Sequence, residues 1–256
     1  VLFGIADLTA LAQRDDQVPA AYDAIVKAFN TDDEALGRLA AWYKSKMNYE
    51  KARETYRRYA DKGEGLSLVG YSYREQQNWP LAVQTYTQLL GQDPERKVRW
   101  KPELAMTHRG AHKWPEAIAV YEELVREDVA NAGRWRWEVG NTHRDAGQYK
   151  EAIGHFRQCE NFPENYKQMA WCHRQLKQPN EAIILYNQVA SDKASAPWAM
   201  LQVAYTREEA GQTEPAIQAF QQVCKRFPKD QHASTAHAHL QQKYKISVTL
   251  GGANEE

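Results

Sequence analysis

The chain has little of what marks most small-molecule chemistries. Among its 256 residues are three cysteines, Cys159, Cys172 and Cys224, an odd number with no Cys-x-x-Cys pair. That spacing argues against a disulfide framework, and the thiols read as small buried apolar residues. No apolar run approaches the roughly 18 residues of a membrane-spanning helix. The opening segment Val1–Ala6 lacks the length and basic lead of a signal peptide, and no Asn-x-Ser/Thr acceptor occurs. A soluble protein of a reducing compartment such as the cytoplasm is the expectation.

Neither sign of charge prevails. Lys and Arg number 33, as do Asp and Glu, so the net charge is zero. A surface built wholly for nucleic acid is thereby disfavoured, although a local patch is not. Glycine and proline are modest at 14 and 10. The phosphate-cradling pattern Gly-x-x-x-x-Gly-Lys and the zinc pattern His-Glu-x-x-His are both missing. Gly65-Leu66-Ser67-Leu68-Val69 lacks the closing glycine of a nucleophile elbow, and Gly63-Glu64-Gly65 has no third glycine at dinucleotide spacing. The chain therefore reads as a non-enzyme without cofactor.

What is present is a repeat. An alanine followed four residues later by a large aromatic recurs as Ala52/Tyr56, Ala82/Tyr86, Ala117/Tyr121, Ala152/Phe156, Ala182/Tyr186 and Ala216/Phe220. Twelve residues before each alanine stands a small residue: Ala40, Gly70, Ala105, Gly140, Ala170 and Ala204. An apolar residue precedes each of these, and Tyr43, Tyr73, His108, His143 and His173 follow three residues later; Arg207 takes that place in the last unit. Spacings of three and four put such residues on one face of a helix. Turn residues separate the helices: Asn48-Tyr49, Asn78-Trp79-Pro80, Trp114-Pro115, Gly147-Gln148, Gln178-Pro179 and Gly211-Gln212. Pro80, Pro115, Pro179 and Pro215 suit a first helical turn, where a missing N–H is harmless.

This pattern resembles the tetratricopeptide repeat, in which an apolar-small pair, a tyrosine, an alanine and an aromatic recur over about 34 residues. Pro94 and Pro228 fall at its terminal proline position. The resemblance implies an all-α, right-handed superhelical solenoid of stacked antiparallel helix hairpins. The expected division is a degenerate hairpin over 1–32, with Leu8 and Ala21/Ile25/Ala28 as its apolar marks, then six units over 33–228. A polar capping helix over 229–243 and a flexible tail over 244–256 follow, with β character in Lys245–Leu250. A helical hairpin cannot bury its face alone, so units must stack.

Histidine at one repeat position invites a metal reading of His108, His143 and His173. Zinc wants four tightly placed ligands, so the expectation is that these imidazoles replace the packing tyrosine and bond a neighbouring helix, with no metal.

The residue after the Tyr/His position points to the opposite face of each first helix. It reads Lys44, Arg74, Arg109, Arg144 and Arg174, five cations in succession, then Glu208. Three residues earlier on that face stand Tyr71, Asn141, Trp171 and Tyr205. The resemblance implies that this face lines a concave groove. A pairing of each cation with a local acid, such as Glu75 beside Arg74 or Asp145 beside Arg144, is the competing reading of the column. The carboxylate clamp of co-chaperones that share the pattern is not reproduced: Trp137, Gln168, Trp198 and Gln202 occupy four of its five places.

The functional expectation is a protein-interaction scaffold whose groove takes a peptide segment of acidic and aromatic character, because arginine recognises carboxylates and stacks on rings. The tail ending Glu255-Glu256 is itself a candidate occupant. Two further readings stay open: self-assembly through the groove or the stack ends, giving a homo-oligomer, and single-stranded nucleic acid on cations interleaved with aromatics, against which the balanced charge weighs.

Overall fold

A computed structural model describes residues 16–29 and 32–248. Leu8 of the degenerate opening hairpin and the tail from Gly251 to Glu256 lie outside the described residues. The chain forms two compact units, Val1–Asp128 and Val129–Glu256.

In the first unit the helices are α1 (Val18–Ala28), α2 (Asp33–Ser45), α3 (Tyr49–Arg57), α4 (Lys62–Glu75), α5 (Trp79–Gln92), α6 (Lys97–Gly110) and α7 (Trp114–Glu127). In the second they are α8 (Ala132–Asp145), α9 (Tyr149–Arg157), α10 (Glu164–Gln175), α11 (Pro179–Val189), α12 (Ala196–Glu209), α13 (Thr213–Arg226) and α14 (Gln231–His239). Among the described residues there is no strand. The pairs α2/α3, α4/α5, α6/α7, α8/α9, α10/α11 and α12/α13 are helix hairpins, and each unit stacks its own three.

Local chemistry starts and stops these helices. The Asp32 carboxylate accepts from the backbone N–H of Glu34 at 2.9 Å and of Ala35 at 3.1 Å, capping α2. Asp61 caps α4 in the same way through Gly63 and Glu64. Each first helix ends on one residue in the left-handed region: Met47, Gln77, His112, Gly147, Lys177 and Gly211, all with φ between 55° and 75°. The following N–H reaches back to close the turn, as from Asn78 to the Tyr73 carbonyl at 2.9 Å. Only two of the six are glycine, so the other four hold a conformation that a Cβ disfavours by about 1 kcal/mol.

The small residue of each first helix lets the aromatic of the second lie against it. A Cβ on Gly70 would stand 2.8 Å from Tyr86 Cζ, and one on Gly140 would stand 2.8 Å from Phe156 Cε1. Ala52, Ala82, Ala117, Ala152, Ala182 and Ala216 are fully buried beside these rings. Cys159, Cys172 and Cys224 are free and buried, and burial pushes the Cys172 thiol up to about 12. Trp100 and Trp135 are buried, and Trp137 packs its edge on Phe156 at 4.9 Å, so these indoles hold helices together.

At the end of the second unit α14 and a short π-helical turn, Leu240–Tyr244, close the core. Ala233, Ala236 and Leu240 are buried with Phe220 and Cys224. The β character expected from Lys245 onward is not realised over Lys245–Val248. Among the described residues no strand offers a ladder there; instead Ile246 N–H donates to the Leu240 carbonyl, and Ile246 and Val248 pack on the closing cluster.

Candidate functional site

The column cations stand at one position on successive first helices: Lys44, Arg74 and Arg109 on α2, α4 and α6, and Arg144 and Arg174 on α8 and α10. They are half-buried. Lys44, Arg74, Arg144 and Arg174 direct their charge onto neighbouring side chains of the stack rather than out of it. In the first unit Lys44 Nζ pairs with Glu75 at 2.5 Å and Arg74 with Glu103 at 2.9 Å. Burial opposes the charge on Lys44, but Glu75 outweighs it and raises the amine above its ordinary value. In the second unit Arg144 meets Asp145 at 3.0 Å and donates to Gln168 Oε1 at 2.6 Å. Arg174, whose side chain is 14% exposed, meets Glu209 at 2.5 Å and Gln202 Oε1 at 2.8 Å.

A rule links these partners. Glu103, Gln168 and Gln202 each lie six residues before the column position of their own first helix, and each receives the cation of the preceding one. The sequence expectation of Glu75 beside Arg74 is corrected: Glu75 serves Lys44, one hairpin earlier. The acids were visible in the sequence. Their register was not, because the partner comes from the next repeat.

The aromatic and polar neighbours of the column divide. Tyr71 is 43% exposed and lies under two cations, Lys44 Nζ at 5.5 Å and Arg74 Cζ at 5.2 Å from the ring centroid. Trp171 is 37% exposed, with Tyr149 edge-on at 5.6 Å. Asn141 is only 8% exposed, so it offers no open amide. Tyr205 is covered by the closing helix, against Phe220 at 5.1 Å and His239 at 5.3 Å. Beside it Glu208, the acid that breaks the column, receives His239 at 2.8 Å, Lys243 at 3.2 Å and the Tyr244 hydroxyl. Burial alone would raise the Glu208 carboxyl, but these three partners hold it below its ordinary range. At the last hairpin the polarity is therefore reversed, with the cap supplying the cation.

The histidines of the repeat take a local partner. Nδ1 of His143 meets Gln148 Oε1 at 2.7 Å, and Nδ1 of His173 meets Gln178 Oε1 at 2.8 Å, each glutamine standing at the start of the hairpin's second helix. Lys113 holds that place after His108. The buried Nδ1 of His108 then has no hydrogen-bond partner among the described residues, and burial draws its pKa down.

The first helices of the second unit, together with Tyr186 of α11, bound a cleft of about 690 Å³. Arg144, Gln168, Trp171, Trp198 and Gln202 line it, as do Tyr186 and the charged Asp145, Glu164 and Lys167. Lys167 pairs with Glu164 at 2.7 Å and lies 5.2 Å over the Trp198 ring. Arginine can only donate, so the atoms facing Arg144 and Arg174 are the amide oxygens of Gln168 and Gln202. Each guanidinium thereby fixes an amide with its Nε2 donors turned away from it. Gln168, Trp198 and Gln202 were noted in the sequence only as places where a clamp fails.

Two family models, both for the tetratricopeptide repeat, match the sequence, one over residues 103–166 and the other over 66–96 and 198–230. Together these segments span half of the chain. It belongs to the tetratricopeptide repeat family. Among solved structures, the C-terminal part of a TPR repeat-containing protein from Cytophaga hutchinsonii is 16% identical, with TM-score 0.60 over 91% of this chain and 98% of that one. The apo form of RapI is 9% identical, with TM-score 0.61 over 95% and 81%. The Naa15/Naa10 assembly bound to HypK is 13% identical, with TM-score 0.54 over 96% and 39%. At these identities the likeness is one of fold. No curated protein matches the sequence. Among the described residues no helix is long and apolar enough to cross a membrane. As a tetratricopeptide repeat protein the chain is a protein–protein interaction scaffold.

Proposed function

We infer that this tetratricopeptide repeat protein holds an extended peptide segment of a partner protein in the cleft of its second unit. The observation that carries the reading is the pair of guanidinium-oriented amides, Gln168 and Gln202, beside the half-open indoles of Trp171 and Trp198. Such amides donate to main-chain carbonyls of a bound segment, and the indoles receive an apolar or aromatic side chain. The column arginines act through the amides they orient. Acidic residues in the segment have Lys167 and Arg144 within the cleft, in competition with Glu164 and Asp145. Aromatic character is therefore the stronger requirement and acidity the weaker.

A peptide library displayed on phage and selected against the intact chain tests this. The selected peptides should bind the Gln168→Ala/Gln202→Ala double variant and Trp171→Ala roughly tenfold more weakly than the parent, each at unchanged helicity. Selected peptides that bind both variants as tightly as the parent place recognition elsewhere.

A further inference from the structure

We propose that the first unit carries a separate docking groove for an extended acidic peptide, on its second-helix side. The groove lies between α3 and α5, with α4 as its floor, and encloses about 490 Å³. Leu66, Val69, Tyr73, Leu81 and Thr85 form an apolar base. Arg57 and Lys62 stand at one end, and Gln84, Gln88 and Gln92 run along one wall.

The disposition of charge selects the occupant. Arg57 and Lys62 are both exposed, and no acidic side chain lines the groove. Among the described residues neither cation has an ion-pair partner; the Lys62 amine only donates to the Arg57 carbonyl at 3.4 Å. This is the opposite of the column, where Lys44, Arg74, Arg144 and Arg174 each face a carboxylate or amide of their own or the next first helix. Two unneutralised cations beside an apolar floor are complementary to a segment that brings carboxylates together with aliphatic side chains.

The wall selects the conformation. Gln84, Gln88 and Gln92 recur every fourth residue on α5 and are exposed. Four residues of helix rise about 6 Å. An extended chain presents equivalent main-chain groups every second residue, about 6.6 Å apart. Three amides at that pitch can each meet a main-chain group of one extended segment while alternate side chains point to the floor. The second unit supplies an internal comparison at the same repeat register. There Gln218 and Gln222 replace Gln84 and Gln88, Asn187 replaces Arg57, and the pocket shrinks to about 130 Å³. Two of the three wall glutamines recur; the exposed cation pair and the volume do not, and the cation that lines this pocket, Arg207, is half-buried at the place of Tyr73.

The test uses the full chain and a fluorescein-labelled octapeptide of alternating glutamate and valine, read by anisotropy at low salt. The parent should bind it. The Arg57→Glu/Lys62→Glu double variant should weaken binding at least about tenfold at unchanged helicity, since both side chains are exposed and bond little within the fold. Gln88→Ala should weaken it a few-fold, and the alternating glutamine–valine peptide should bind at least about tenfold less tightly than the acidic one. Trp171→Ala, in the other unit's cleft, should leave binding unchanged, which separates this groove from the site inferred above. Equal binding by the double variant, equal binding of the neutral peptide, displacement of the peptide by oligouridine at lower concentration than by unlabelled peptide, or a dimer of this chain that dissociates in the double variant would each overturn the proposal.

Discussion

The two units build the same hairpin three times each and furnish it differently. In the first unit the turns between helices rest on Met47, Gln77 and His112, none of them glycine; in the second, two of three rest on Gly147 and Gly211. His108 in the first has a buried nitrogen without a partner among the described residues, whereas His143 and His173 in the second each hold a glutamine. Column cations in the first meet carboxylates, Glu75 and Glu103. In the second they also meet the amides Gln168 and Gln202. The lesson is that a repeat position prescribes a shape and leaves its chemistry open. A carboxylate neutralises its cation, whereas an amide is oriented by it and keeps its own donors for a ligand.

That comparison can be broken or sharpened by substitution. The largest effect is expected where the units do not differ. Ala117→Leu in the first and Ala152→Leu in the second force a bulky side chain into a fully buried contact and should each cost about 1–3 kcal/mol by chemical denaturation. Markedly unequal losses would mean that the hairpins do not share their packing. Next comes Lys113→Gln, which gives His108 the partner its counterparts have; a gain of about 1 kcal/mol is expected, and no gain would detach the His–Gln pair from stability.

A pH dependence sharpens the contrast between the column and its reversed end. Glu208 is held below the ordinary glutamate range in the folded chain. Its contribution is therefore complete above the unfolded value and is lost as pH falls through the lowered one. Glu208→Gln should flatten that part of the acid limb of a stability profile, and an unchanged limb would remove the cap's cations from the account. The smallest effects are at the turns. Gln77→Gly and Lys177→Gly relieve a positive φ but loosen the unfolded chain, for a net gain of about 0.5 kcal/mol in the melting curve.

The hairpin pattern was legible in the sequence because packing demands it: a small residue, a ring and an alanine at fixed spacing have one steric solution. The column was legible as a position but not as an interaction. Lys44, Arg74, Arg144 and Arg174 fall where the spacing places them, and Asp145 does pair with Arg144 as its adjacency suggests, yet Glu75, Glu103, Gln168, Gln202 and Glu209 come from the neighbouring hairpin in a register that unit lengths of 30 to 35 residues obscure. Asn141 and Tyr205 illustrate the other limit. Periodicity assigns them to the open face, yet the structure covers them: the closing helix shields Tyr205, and Asn141 is buried. The cleft glutamines had no signal of their own until the guanidinium opposite each was known.

The most direct test compares thermal melts of Arg74→Ala and Arg174→Ala with that of Arg57→Ala. If the column cations are engaged within the fold, the first two leave Glu103, Glu209 and Gln202 without their partners and should lose about 1–3 kcal/mol, while Arg57→Ala, exposed and without an acid, should stay within about 0.5 kcal/mol of the parent. Column variants that melt with the parent would contradict the account and return those cations to the surface as free charge.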